Sequence, residues 1–150
     1  SSGSTLRGDE ENLFHAEAQR RKAMKENAIS KEVIGAAVEV HKELGPGLLE
    51  SVYEECLCKE FLLREISYQR QVSVPLMYKG VRLECGHRID VIVEDAVIVE
   101  IKSVEQLMPV HKKQLLTYLK LLDKRLGLLI NFNMDFLKSG INRVANGIIE

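Results

Sequence analysis

With 150 residues, 45% hydrophobic and 29% charged, the chain has the length and composition of one globular domain with a full core. A formal net charge of −1 excludes the broad basic field of a protein that clamps duplex DNA by charge alone, so any nucleic-acid contact must be a local patch. No apolar run approaches the roughly 18 residues that cross a bilayer, and three cysteines without a CxxC pair argue against a zinc knuckle and for reduced thiols in the cytoplasm.

Residues 1–28 are polar and read as a leader, with Ser1-Ser2-Gly3-Ser4 as an expression scar and a thin apolar stripe of Leu13, Phe14 and Ala18. Residues 29–150 read as a single domain. Ser30 is placed to cap a helix whose apolar face is Val33, Ala37, Val40 and Leu44, and Gly45-Pro46 ends it. A second helix is expected from Leu48 to Arg64, burying Val52, Cys56, Leu57 and Phe61. The period then changes to two at Tyr68, Arg70, Val72, Val74 and Leu76. Lys79-Gly80 predicts a hairpin into a strand Val81–Cys85, followed by strands His87–Val93 and Ala96–Lys102 with a turn at Glu94-Asp95. Ala96-Val97-Ile98-Val99 is apolar on both faces, as a covered central strand is. A helix over Val110–Leu122, a strand over Leu126–Phe132 and a closing helix over Phe136–Ala145 complete the order. The fold class expected is α/β, an α+β mixed sheet covered by helices.

The chemistry centres on Asp90 and on Glu100-Ile101-Lys102. Side chains alternate along a strand, so Glu100 and Lys102 share a face. If the Asp90 strand pairs beside it, Asp90 approaches Glu100. Two carboxylates and a backbone carbonyl, that of Ile101, form a hard oxygen set suited to Mg²⁺ or Mn²⁺. Lys102 is then positioned to orient or deprotonate an attacking water or to stabilise a phosphate. The same residues also read as an ordinary Glu–Lys surface pair beside a strand-end Asp.

Gly47, Glu50 and Tyr53 fall at i, i+3 and i+6 on one broad helical face. Glu50 reads either as a third carboxylate or as a helix-start charge, Tyr53 as core, and Gly47 as a point of close approach. Gln114 and Tyr118 share a face at i, i+4, away from the leucine stripe of Leu115, Leu119 and Leu122. His111-Lys112-Lys113 makes a short basic helix start, with His87 nearby, and His41 is expected to be structural. No glycine-rich phosphate loop or Ser/His/Asp order stands out.

Taken together these pieces resemble the GxxExxY proteins, a family assigned to the PD-(D/E)xK nuclease superfamily. The likeness covers about residues 28–147 and includes His41–Gly47, Gly47…Glu50…Tyr53, Asp90…Glu100-Ile101-Lys102, Gln114 with Tyr118, Gly127–Phe132 and Gly140-Ile141 with Arg143. Ile89 stands where the superfamily's name has Pro. The resemblance implies a restriction-endonuclease-like core with a central four-stranded mixed sheet. It implies Asp90, Glu100 and Glu50 as metal ligands, Lys102 as the catalytic lysine, and Gln114 with Tyr118 as a QxxxY element. It further implies a metal-dependent nuclease acting on nucleic acid, DNA first, with no membrane partner and a homodimer as one possible assembly. The alternatives are a non-catalytic nucleic-acid- or protein-binding module on the same fold, and a metal hydrolase of another phosphate ester.

Overall fold

The computed structural model describes residues 2–147; Ser1 of the expected scar and 148–150 of the expected domain lie outside the described residues. The order is α1 (Ser2–Leu44), α2 (Glu50–Leu63), β1 (Tyr68–Tyr78), β2 (Val81–Val93), β3 (Val97–Lys102), α3 (Pro109–Leu121), β4 (Leu126–Asn131), a 3₁₀ turn (Leu137–Gly140) and β5 (Ile141–Ala145). The strands form one mixed sheet in the order β1-β2-β3-β4-β5. Only β3 and β4 pair in parallel, with α3 as their crossover; the other neighbours are antiparallel.

The sheet is covered on both faces. Val91, Val99, Ile101, Leu128 and Ile130 pack with Val33, Leu57 and Phe61 of α1 and α2. Ile92, Ile98 and Leu129 pack with Leu115 and Leu119 of α3 on the other side. β3 is therefore buried at every residue but the last, as its unbroken apolar run requires. Gly127 lets α3 come close, since a Cβ there would meet the Leu115 side chain at 2.8 Å.

Four expectations are corrected. Ser30 does not cap a helix; α1 runs through it, and Ser30 is buried within the helix. Residues 9–34 contain no Gly or Pro and many Ala, Glu, Lys and Arg, so nothing in the chain stops the helix there. The strands expected at Val81–Cys85 and His87–Val93 are one strand, β2, bent at Gly86 (φ 72°), where β2 carries extra residues against Ser73/Pro75 of β1. The closing helix is instead a 3₁₀ turn and a strand, so the sheet has five strands and not four. β4 is buried at all six residues, and its outer edge needs ladder partners that Ile141–Ala145 supply. Lastly, α2 buries Leu57 and Phe61 as expected, but with Tyr53, Glu54 and Cys58 beside them; Cys56 is half-buried and Val52 is exposed.

Candidate functional site

β2 and β3 begin as a regular ladder. Glu94 and Asp95 both take positive φ (52° and 51°) in the three-residue turn, closed by Ala96, that joins the strands. From there Val93 pairs with Val97, Ile92 with Ile98 and Val91 with Val99, and the pairing stops. At the next step the two backbones are bridged by side chains. The Asp90 N–H donates to Glu100 Oε1 (3.2 Å), and the Ile101 N–H donates to Asp90 Oδ2 (2.8 Å). Two carboxylates thus occupy the gap where ladder bonds would run. An extended residue points its N–H and C=O the same way, so the Ile101 carbonyl faces this gap too.

The pairing of β2 with β1 is interrupted at the same level. Arg70 pairs with Val91 and Val72 with Ile89, which leaves Gln71 opposite Asp90, and Gln71 has φ 52°. That conformation is strained for a side-chain-bearing residue. Glu54 of α2 holds it: its Oε1 accepts from Gln71 Nε2 (2.9 Å), and its Oε2 accepts from Arg70 Nη2 (2.6 Å) and Nε (3.1 Å). Glu54 is 7% exposed, so its charge is buried but paired. Sequence reasoning missed Glu54, Arg70 and Gln71. The available signal was a carboxylate inside the apolar stripe of α2, next to Tyr53.

The electrostatics of the pair follow from burial. Desolvation, and then the charge of Asp90, pushes the Glu100 carboxyl up to about 8. Asp90 is raised as well, chiefly by burial; the Ile101 N–H and the Lys102 charge oppose this, and Glu54 adds to it. The Lys102 ammonium makes no hydrogen bond or ion pair among the described residues, yet its charge reaches both carboxylates. The Tyr118 phenol of α3 is raised by burial and, less, by the charges of Glu100 and Asp90. Its hydroxyl also meets His87 Nδ1 at 3.3 Å. Gln114 lines a cavity with Tyr118 and His87. Cys58 is no nucleophile, because burial pushes its thiol up to about 12.

Glu50 stands apart from the pair. Its Oε1 accepts from the Ser103 N–H (3.3 Å), and Ser103 Oγ donates to the Leu48 carbonyl (2.6 Å). The start of α2 is thereby fastened to the end of β3. Tyr53 completes the fastening: its hydroxyl donates to the Gly45 carbonyl (2.6 Å), accepts from the Leu48 N–H (3.1 Å), and its ring stacks on Phe132 at 4.5 Å. Gly47 has φ 94° and open space where a Cβ would sit, so the turn needs its backbone freedom and not a close approach. Asn131, buried at the end of β4, holds the next loop through Val104 N–H (3.1 Å) and C=O (2.8 Å). At the start of α3, His111 Nδ1 accepts from the Met108 N–H (3.0 Å), and His41 bonds the Met134 carbonyl. Among the described residues no three His, Cys, Asp or Glu side chains gather as one cluster; Asp90 and Glu100 meet as a pair.

The profile of the PD-(D/E)XK nuclease superfamily matches residues 27–144. The chain belongs to the PD-(D/E)XK nuclease superfamily. Comparisons with curated proteins and with solved structures find no match. The PD-(D/E)XK match begins within α1 and ends in β5, so it takes in the carboxylate gap, α3 and every strand pairing that frames them. Among the described residues no helix is long and apolar enough to cross a membrane.

Proposed function

We propose that the protein is a divalent-metal-dependent nuclease that hydrolyses DNA phosphodiester bonds. The observation that carries this is the interlocked Asp90–Glu100 pair in the strand gap, with Lys102 on the Glu100 face. The donor set fits Mg²⁺ or Mn²⁺: two adjacent hard oxygen groups whose like charges repel, with the Ile101 carbonyl facing the same gap. Asp90, Glu100 and that carbonyl would hold the ion. When bound, it supplies a water of lowered pKa and neutralises charge on the scissile phosphate.

The chain's own groups do the rest. Lys102 orients the attacking water and stabilises the charge that grows on the phosphate. Tyr118 and Gln114 bound the pocket on the α3 side. Glu50, through Ser103, keeps the end of β3 in place and reaches the pair through water. This fastening by Gly47, Glu50 and Tyr53 supports the narrower reading of a GxxExxY protein. Free Cys56 and Cys58 suit the reducing cytoplasm.

The test is cleavage of labelled single-stranded, duplex and branched DNA with Mg²⁺, Mn²⁺ or chelator, with Glu100→Gln beside wild type. Metal-dependent products that vanish in the variant are the expected result. A second reading, a non-catalytic binding module, draws on the absence of a three-carboxylate cluster among the described residues. Folded protein that cuts nothing and gains no thermal stability from Mg²⁺ would establish it instead.

A further inference from the structure

A cavity of about 250 Å³ lies between α3 and the β1–β2 hairpin. Its wall is apolar at Val74, Leu76 and Leu121, with Gln114, Thr117 and His87 as the polar groups. This is smaller than the roughly 300–1,000 Å³ of a site for a whole drug-sized ligand, and suits one flat ring system. Tyr118 lines this cavity and packs in one buried cluster with Ile89 and Ile98, which lie just before Asp90 and Glu100 on their strands. The cavity therefore opens on the α3 side of the sheet, the side on which strand alternation places Glu100. The exposed His87 ring is tilted 55° to the buried Tyr118 ring with centroids 6.4 Å apart, so Tyr118 does not cover its face. On α3, Lys113 and Lys120 sit one turn either side of Thr117, and both are exposed. Aromatic faces flanked by cations are what single-stranded nucleic acid binds, a base on the ring and phosphates on the charges.

We infer that this cavity receives one unpaired nucleobase of the substrate strand, so that the protein acts on single-stranded or frayed DNA in preference to continuous duplex. The inference rests on the nuclease reading for its substrate. A stacked, paired base cannot leave its duplex to enter a recess between the helix and the hairpin without unstacking; an unpaired base enters without that cost. The net charge of −1 agrees, because it gives no general hold on duplex.

The experiment has a binding arm and a cleavage arm. In chelator, fluorescence anisotropy compares wild type with Thr117→Phe, which fills the cavity from an exposed helix position. The probes are a single strand, its duplex, and the same strand with one abasic residue at successive positions. Wild type should bind the single strand about tenfold more tightly than duplex, within the range of one base stacked on an aromatic ring. Thr117→Phe should remove that preference and leave duplex binding unchanged. With Mg²⁺, an abasic residue beside the cut should slow wild type about tenfold and Thr117→Phe little, and an abasic residue elsewhere should slow neither. Equal cleavage of single strand and duplex, indifferent to abasic sites, keeps the nuclease and overturns the cavity as a base site. Absence of cleavage with single-strand preference intact overturns the nuclease and keeps the cavity. Equal or absent binding of both forms in chelator, by protein whose circular dichroism is unchanged, also overturns it.

Discussion

The same two strands behave in opposite ways three residues apart. Near the Glu94-Asp95 turn, β2 and β3 exchange backbone hydrogen bonds and bury Val91, Val93, Val97 and Val99 completely. One step further, the backbones are joined only through Asp90 and Glu100. The first half lowers the free energy of the fold, by about 25 cal/mol for each Å² of apolar surface removed from water. The second half raises it, because two desolvated carboxylates sit side by side and cannot both ionise in their ordinary range. A sheet can hold such a pair only because the ladder beneath is already complete. Stability and chemistry therefore occupy neighbouring positions and respond to mutation with opposite signs.

The sharpest test of that contrast is in the carboxylate half. Lys102→Ala should lower cleavage on the order of 10³-fold, as loss of a charge aimed at the developing phosphate does, and leave Mg²⁺-induced thermal stabilisation in place. Glu100→Gln should lose both, yet above pH 8 its metal-free form should melt no lower than wild type, since the buried charge that Glu100 carries there is gone. A melt well below wild type would break the comparison.

In the ladder half the sign reverses. Ile98→Ala removes a fully buried side chain from the α3 face. It should cost about 3 kcal/mol in urea unfolding, with the activity of the protein that remains folded little changed. Smaller again is Tyr53→Phe, which leaves the Gly45 carbonyl and Leu48 N–H without their partner. About 1–2 kcal/mol of stability should go, and cleavage should fall several-fold as the end of β3 loosens through Glu50 and Ser103.

The gentlest change is pH. In the folded protein Glu100 keeps its proton to about 8, against an ordinary value of 4.5. Between those limits the folded state binds more protons than the unfolded state, so metal-free stability falls as pH rises through that span, a little at each step. Metal binding displaces the proton, so the rise in Tm on adding Mg²⁺ should grow from pH 6 towards pH 8. A metal effect that shrinks over that range would contradict the buried pair.

Much of this was legible in the sequence. Strand alternation put Glu100 and Lys102 on one face, and the apolar run before them marked a covered strand. Lys79-Gly80 and Glu94-Asp95 marked the two hairpins, and both turns have positive φ at both residues. What was hidden depended on partners distant in the chain. Ile141–Ala145 becomes a strand only because β4 presents an open edge. Gly86 bends β2 without interrupting it, although alternation alone reads as two strands. The Glu54–Arg70–Gln71 clamp joins α2 to the positive-φ residue Gln71 on β1, and no local period carries that information. Glu50 was legible as a helix-start carboxylate; its hold on Ser103 was not.

The Ile101 amide has a consequence of its own. It donates to a carboxylate side chain, where a strand amide normally donates to a neighbour's backbone carbonyl. Its proton resonance therefore senses the charge on Asp90 directly. A single labelled isoleucine amide would give a spectroscopic gauge of the gap, moving as the carboxylate is protonated, ionised or drawn toward a cation, while the amides of Val97–Val99 a few residues away stay still.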